Sequence, residues 1–378
     1  MPYMGIYVAS QPRAMLENTR PSRARGGVAR TYSRPELEAE LSRIVEQRGR
    51  DGLNEVRDRA RRIAPMLGAE AEAEILDDLI GSVLGTRDTS LLTDSARAHQ
   101  AGMGFDTRRV DLFASLQAEL LRQNFADREE QPASFPALPF FEAYFSNWIE
   151  GTEFEVEEAE EIVFESKVPP AREDDAHDVL GTFEVVNDPE QRSERAADPP
   201  SFIELLRGRH AQMLSHRPQI NPGSFKSRPN RAGGTSFVSP ELVQGTLTEG
   251  WRYLEPLRSG LSRAIFMMFL VSEVHPFKDG NGRVGRVFMN AELSAVGQQR
   301  IVIPISYRDD YLGGLRALSR GGDPQPLIRV LDFAQQYSAA IDWSEQGFAR
   351  RMLEESNALV PPDEAEQTGQ RLRLPTVG

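Results

Sequence analysis

His275-Pro276-Phe277-Lys278-Asp279-Gly280-Asn281-Gly282-Arg283-Val284-Gly285-Arg286 is the stretch that decides how this chain is read. It combines an imidazole, a carboxylate, a Gly-Asn-Gly turn and two arginines three apart. Apolar helical pattern flanks it on both sides. Upstream, residues 260–274 carry Leu261, Ile265, Phe266, Met268, Phe269 and Leu270, enough for a buried helix with more than one apolar face. Pro276 disfavours helical backbone at His275, so that helix should end near Glu273 or Val274. Downstream, Val284, Val287, Phe288, Ala291 and Leu293 open a second helix, with Arg283 and Arg286 on one face of its first turn.

Basic side chains at a helix N-terminus oppose the macrodipole and call for a bound anion. The backbone N–H groups of residues 280–283 form a concave nest, to which Arg283 and Arg286 add charge-assisted donors. Asp279 would be repelled by phosphate unless a hard cation such as Mg²⁺ lay between them. His275 at the mouth of the loop can take a proton from an incoming hydroxyl. From the residues alone, the stretch is a Mg²⁺-nucleotide phosphate cradle with a general base beside it, and Phe277 is a buried anchor for the loop.

The same run resembles the signature of the Fic family: His, any residue, Phe, any residue, Asp or Glu, Gly, Asn, Gly, Arg, any two, Arg. Every fixed position is matched. A second segment, Ser146-Asn147-Trp148-Ile149-Glu150-Gly151, resembles that family's inhibitory motif, in which a glutamate pairs with the second arginine of the main loop. Here the pair would be Glu150 with Arg286. Without that company, Glu150 reads as a solvated acid before a helix stop at Gly151.

The 378 residues allow one large or two modest domains. A net charge of −13 argues against a nonspecific nucleic-acid binder, which needs a basic footprint. No apolar run approaches the ~18 to 20 residues of a membrane span, so no membrane association is expected. The lack of cysteine excludes disulfides and thiolate chemistry, and cytoplasmic residence is the expectation. Residues 1–33 carry Arg13, Arg20, Arg23, Arg25 and Arg30 against Glu17, which reads as a disordered arm or, less simply, a transit signal.

Residues 34–139 form a helical extension. Helices are expected over 34–62, opened by Ser33 and Pro35, over 70–84 and over 110–125. His99 stands alone and reads as a surface or capping residue. A proline-rich turn (Pro132, Pro136, Pro139) precedes the inhibitory helix, 140–151, and Thr152 with Glu155 suggests a capping box for the acidic helix 153–164. A loop over 169–176, a helix over 177–186 with His177 near its cap, and a mobile loop over 188–200 follow. The helix over 202–214 places His210 on its buried side, as a satisfied core histidine. Two extended pieces around a Gly-Gly bend then suggest a small hairpin. It resembles the Fic flap, so Phe225, Lys226, Thr235, Ser236 and Phe237 are candidate contacts to a target segment added as an extra strand. Helices over 309–318 and 327–337 follow, and Tyr311, with Ser319 less securely, aligns with the family's base pocket. Beyond Trp343 lie one more helix and a loose tail, within a C-terminal segment 341–378.

The resemblance covers roughly 140–340 and implies an all-α, mainly helical Fic-type bundle with one small β-hairpin flap. It implies transfer of AMP from ATP to a Ser, Thr or Tyr hydroxyl of a target protein. His275 would be the base and Asp279 the Mg²⁺ ligand. Gly280, Asn281 and Gly282 would bind phosphate oxygens, with Arg283 on the β-phosphate and Arg286 on the γ-phosphate. Removal of AMP, transfer of UMP or phosphate, and a non-enzymatic nucleotide sensor remain open alternatives, as does a homo-oligomer.

Overall fold

The computed structural model describes residues 2, 3, 6–22, 26, 29–130 and 137–375. Among them α-helices carry the architecture, and β-structure is limited to strands of two residues and an isolated bridge between Glu129 and Gln298. The all-α class with a small hairpin is what the chain adopts. No helix among the described residues is long and apolar enough to cross a membrane.

The chain divides into two compact units, 1–107 with 244–246, and 108–243 with 247–378. The division falls at 107/108 rather than at the expected 139/140. The reason is Phe113, whose ring meets Phe266 and Phe269 edge-on at 6.0 Å and so anchors residues 108–120 in the second unit's core.

The first unit contains strands β1 (Pro2–Tyr3) and β2 (Ile6–Tyr7) and helices α1 (Gln11–Asn18), α2 (Arg34–Leu67), α3 (Glu70–Val83) and α4 (Asp94–Gln100). Within the arm expected to be disordered, residues 11–18 fold as α1, which buries Met15 and Leu16 among Leu37, Leu41, Leu76 and Leu79. Arg23 and Arg25 lie outside the described residues. Helix α2 starts with a Ser33–Glu36 capping box, bends at Gly49 (φ 66°) and runs past the expected end at 62. His99 is buried rather than superficial, its Nε2 3.7 Å from Glu46 Oε1.

The second unit contains α5 (Thr107–Leu120, from Arg108 on), α6 (Ala137–Ile149), α7 (Val156–Glu165), α8 (Glu173–Asn187), α9 (Pro199–Met213), the antiparallel strands β3 (Arg231–Ala232) and β4 (Thr235–Ser236), α10 (Val243–Leu254, from Leu247 on), α11 (Leu261–Val274), α12 (Asn281–Ser294), α13 (Arg308–Gly321), α14 (Gln325–Ala339), α15 (Gln346–Glu355) and α16 (Pro362–Thr368). Helices α6 and α11 are buried nearly all round, as their apolar sequences require. They supply the walls against which the site is built.

Several local expectations need correction. Helix α5 stops before 125, leaving Leu121 exposed. Pro132 and Pro136 lie outside the described residues, while Pro139 sits in the first turn of α6, where its missing N–H costs nothing. The cap of α7 is Glu155 with Glu158, not Thr152 with Glu155. Helix α8 begins at Glu173, inside the expected loop, and His177 stacks on His216 at 4.0 Å instead of capping. Asp198 caps α9 ahead of Pro199 and Pro200, which shortens the loop over 188–200. The first hairpin strand is Arg231–Ala232, so Phe225 and Lys226 are not strand residues. The tail expected to be loose includes α16.

Candidate active site

Helix α11 ends where Pro276 demands it. His275 takes a left-handed conformation (φ 53°, ψ 58°), and its N–H bonds the Val271 carbonyl. This throws the imidazole clear of the helix. Its Nδ1 lies 3.2 Å from the Ser272 carbonyl, which can only accept, so Nδ1 carries the proton and Nε2 keeps a lone pair. The ring lies flat on Phe237 at 3.7 Å, with 4° between the planes. Burial, opposed by the Ser272 carbonyl, lowers the imidazole pKa to about 4, so it is neutral at physiological pH.

The turn beyond it is held from inside. Phe277 is fully buried, stacked on His210 at 3.7 Å. Asn281 brackets it, accepting from Phe277 N–H at 2.8 Å and donating to its carbonyl at 3.0 Å. His210 Nδ1 accepts from Gly223 N–H at 2.9 Å, so its Nε2 carries the proton and donates to the Asp279 carbonyl at 2.9 Å. The histidine is a satisfied core group, as its position in α9 suggests, and burial lowers its pKa to about 4. Gly280 precedes α12 at φ 76°, and a Cβ there would strike Leu214. The first N–H groups of α12 point from this turn without helical acceptors.

Glu150 lies against that helix end. Its Oε1 accepts from Arg286 Nη2 at 2.7 Å and sits so close to Gly282 that any Cβ there would collide with it. Arg286 also donates to Ser146 Oγ (3.0 Å) and the Ser146 carbonyl (2.7 Å). Burial disfavours charge on Glu150, but Arg286, helped by Arg283, outweighs it and holds the carboxyl below its ordinary range. Gly151, at φ 94°, ends the segment. Tyr311 is buried, with Arg286 6.0 Å from its ring centroid and its hydroxyl on Met268 Sδ at 3.3 Å.

Arg283 is placed differently from its partner. Its guanidinium is buried and bonds Asp178 and, at 3.2 Å, Asn147 Oδ1. Its Nη2 is 3.8 Å from Asp279 Oδ1. Asp178 also binds Arg217 Nη1 at 2.8 Å, which in turn lies 3.3 Å from Asp279 Oδ2. Asp178, Asn147 and Arg217 were missed in the sequence. One signal was present: Asp178 shares a face of α8 with Thr182 and Val185, and an acid on a buried face needs a cation.

A cleft of about 560 Å³ opens beside the loop, lined by Glu150, Gly282, Arg286, His275, Phe237 and Ser319 among others. Ser319 Oγ donates to Glu273 at 3.1 Å, and Glu273 pairs with Arg109 at 2.8 Å. Arg109 also bonds the Ser236 carbonyl, and Arg320 Nε bonds Thr235 Oγ1 at 2.9 Å, so β4 is fastened at the cleft rim. Phe225 turns inward to the Phe277 ring at 5.5 Å. Lys226 reaches Asn230 Oδ1 at 2.7 Å behind the loop, and burial lowers its pKa to about 7. These two residues support the turn from beneath, whereas Thr235 and Phe237 line the cleft and Ser236 between them is held through its carbonyl by Arg109.

The model of the Fic/DOC family matches residues 201–293. The protein adenylyltransferase Fic of Drosophila persimilis is 29% identical over 126 residues, covering 32% of this chain and 25% of that protein. The protein adenylyltransferase fic-1 of Caenorhabditis elegans is 25% identical over 166 residues, covering 42% of this chain and 32% of that protein. The chain thus spans between a quarter and a third of these curated relatives. Among solved structures, a Fic domain containing signaling protein from Bacteroides thetaiotaomicron aligns over 61% of this chain and 94% of its own, with TM-score 0.47 and 22% identity. Fic-1 (aa134–508) from C. elegans aligns over 86% and 91%, with TM-score 0.46 and 18% identity.

Proposed function

Because the chain belongs to the Fic family, we propose that it is a protein adenylyltransferase, held idle by Glu150. The observation that carries this reading is the convergence of His275 and Arg286 on the N-terminal end of α12, the place where Glu150 now puts its carboxylate. A group that binds a carboxylate there can bind phosphate oxygens.

In this reading, Nε2 of His275 accepts the proton of a Ser, Thr or Tyr hydroxyl as its oxygen attacks the α-phosphorus of ATP. The bond to the β-phosphate oxygen breaks, and pyrophosphate leaves. The N–H groups at Gly282 and its neighbours hold phosphate oxygens, for which the absence of a Cβ at Gly282 leaves room. The side chain of Asn281 is committed to Phe277, so its part in phosphate binding is its backbone N–H. Arg286 takes the γ-phosphate once Glu150 departs. Asp279, 45% exposed at the loop mouth, fits Mg²⁺ held by one carboxylate together with phosphate oxygens; among the described residues no cluster of acids or histidines would hold a cation alone. When bound, the cation would neutralise charge on the leaving phosphates. The target segment would lie along β4, beside Phe237 and His275. The catalytic domain is taken to span 140–340.

The full chain, its Glu150→Gly variant and the double variant Glu150→Gly/His275→Ala are incubated with ATP labelled at the α- or the γ-phosphate. Label from the α-position, and not the γ-position, should enter protein in the single variant and vanish in the double one. Equal α-labelling of both would remove His275 from its role, and γ-labelling would replace adenylyl transfer by phosphoryl transfer.

A further inference from the structure

The sequence motif supplies two arginines to the phosphate cradle, but the fold brings a third. Arg217 lies in the connection after α9, and its Nη1 is 2.8 Å from Asp178 Oδ2 and 3.3 Å from Asp279 Oδ2. We propose that Arg217 is a further phosphate-binding residue of the nucleotide site, and that Asp178 is the positioning residue that aims Arg217 and Arg283 at it. This rests on the adenylyl-transfer reading and deepens it.

Three arginines, 217, 283 and 286, face four carboxylates, those of Asp174, Asp178, Asp279 and Glu150. The carboxylates are not equivalent. The side chain of Asp178 is 2% exposed, that of Asp279 45% and that of Glu150 35%. Asp178 is therefore built in, while Asp279, Glu150 and the still more exposed Asp174 can turn away. Arriving phosphates would displace Glu150 from Arg286, and Asp279 would exchange Arg217 for a divalent cation carried with them. Arg217 would then keep Asp178 as its anchor and lose Asp279, leaving only the exposed Asp174 at 3.9 Å as a further anion.

Arg217 is a fifth exposed, whereas Arg283 is sealed in at 3%. Of the two, Arg217 has the freedom to follow a ligand. Its Nε is buried without a hydrogen-bond partner among the described residues, the exposed Asp174 carboxylate lying 3.9 Å away, and the Nε of Arg283 is likewise without one. A guanidinium with unmet donors next to an anion site is suited to phosphate oxygens, which its planar fork can bind two at a time. Asp178 Oδ1 is likewise unpartnered, which leaves the pair room to readjust. A purely structural Arg217 would serve only to neutralise Asp178 and Asp174, and that predicts a different response to the number of phosphates on the ligand.

The test uses the full chain in the Glu150→Gly background, titrated calorimetrically with AMP and with ATP, each with MgCl₂. The parent should prefer ATP. Arg217→Ala should lose ATP affinity by about tenfold or more, the weight of one charged hydrogen-bonding group, and keep its AMP affinity. Asp178→Asn should lose ATP affinity in the same direction. Should Arg217→Ala melt without cooperativity, Arg217→Gln keeps a hydrogen-bond donor for Asp178 and carries the same expectation. ATP affinity within twofold of the parent, or AMP and ATP affinities falling together, would overturn the proposal. A parent that does not prefer ATP to AMP would remove the adenylyl-transfer reading, and the proposal with it.

Discussion

Replacing Glu150 by glycine should release the site, and the structure sets the size of the effect. Arg286 contacts Ser146, Glu150 and Tyr311, and only one of its acceptors, Glu150 Oε1, carries charge. A fully buried ion pair broken on one side costs about 3 to 5 kcal/mol. With the Glu150 side chain 35% exposed, water tempers that figure, and the range for a charged hydrogen bond, about 1.5 to 3 kcal/mol, is the appropriate one. A latch of that strength leaves the open state populated at between roughly one part in 13 and one in 160, and productive ATP binding is weakened by the same factor. Glu150→Gly should therefore raise kcat/KM for ATP by about 10- to 150-fold. The assay is intact-mass spectrometry of auto-modified protein over time at several ATP concentrations. Glu150→Gln, which keeps a hydrogen bond without charge, should fall between wild type and the glycine variant. The two Ser146 contacts remain, so the fold should survive. A glycine variant whose kcat/KM stays within twofold of wild type would refute the competition.

Acid should destabilise the protein in a defined window. His210 and His275 are held neutral down to a pKa of about 4, whereas an unfolded chain protonates them near 6.5. The unfolded state thus binds more protons as pH falls from 6.5 to 4, and stability falls over that interval and is flat above it from this cause. For the fully buried His210 the loss is roughly 3 kcal/mol. The urea midpoint at pH 7, 6 and 5 measures it, and His210→Gln should shallow the slope; an unchanged slope would reject the assignment. Gly181 in α8 approaches the Met213 carbonyl so closely that a Cβ would collide with backbone. Gly181→Ala should cost about 1 to 3 kcal/mol in urea unfolding, and a loss below 0.5 kcal/mol would show that α8 can slide without penalty.

What the sequence discloses follows from what is contiguous in it. The loop from His275 to Arg286 was legible because a single turn holds its parts together and Pro276 and Gly280 fix the ends of two helices. Glu150 could be placed opposite Arg286 only through the resemblance, since 136 residues separate them. Arg217 gave no such cue, and Asp178 gave only its place on the buried face of α8. Their importance comes from α8 and the end of α9 meeting under the loop, which is a tertiary event. The hairpin was legible in kind but not in register: the resemblance to the Fic flap places Phe225 in the first extended piece, yet that residue is used as core against Phe277, and the strand is made of Arg231 and Ala232, which have no β preference. His99 stood among polar residues and still went inward beside Glu46.

The left-handed backbone at His275 sets stability against function. A residue with a Cβ is strained by about 1 to 3 kcal/mol in such a conformation, and glycine is not. The helix would end more comfortably with glycine at 275, as Gly68 and Gly322 end α2 and α13 at φ 58° and 70°. Selection for a sturdier protein would thus remove the imidazole, and only selection for chemistry would keep it. The strained position is where those two pressures can be told apart, because a stabilised glycine variant would have lost its base.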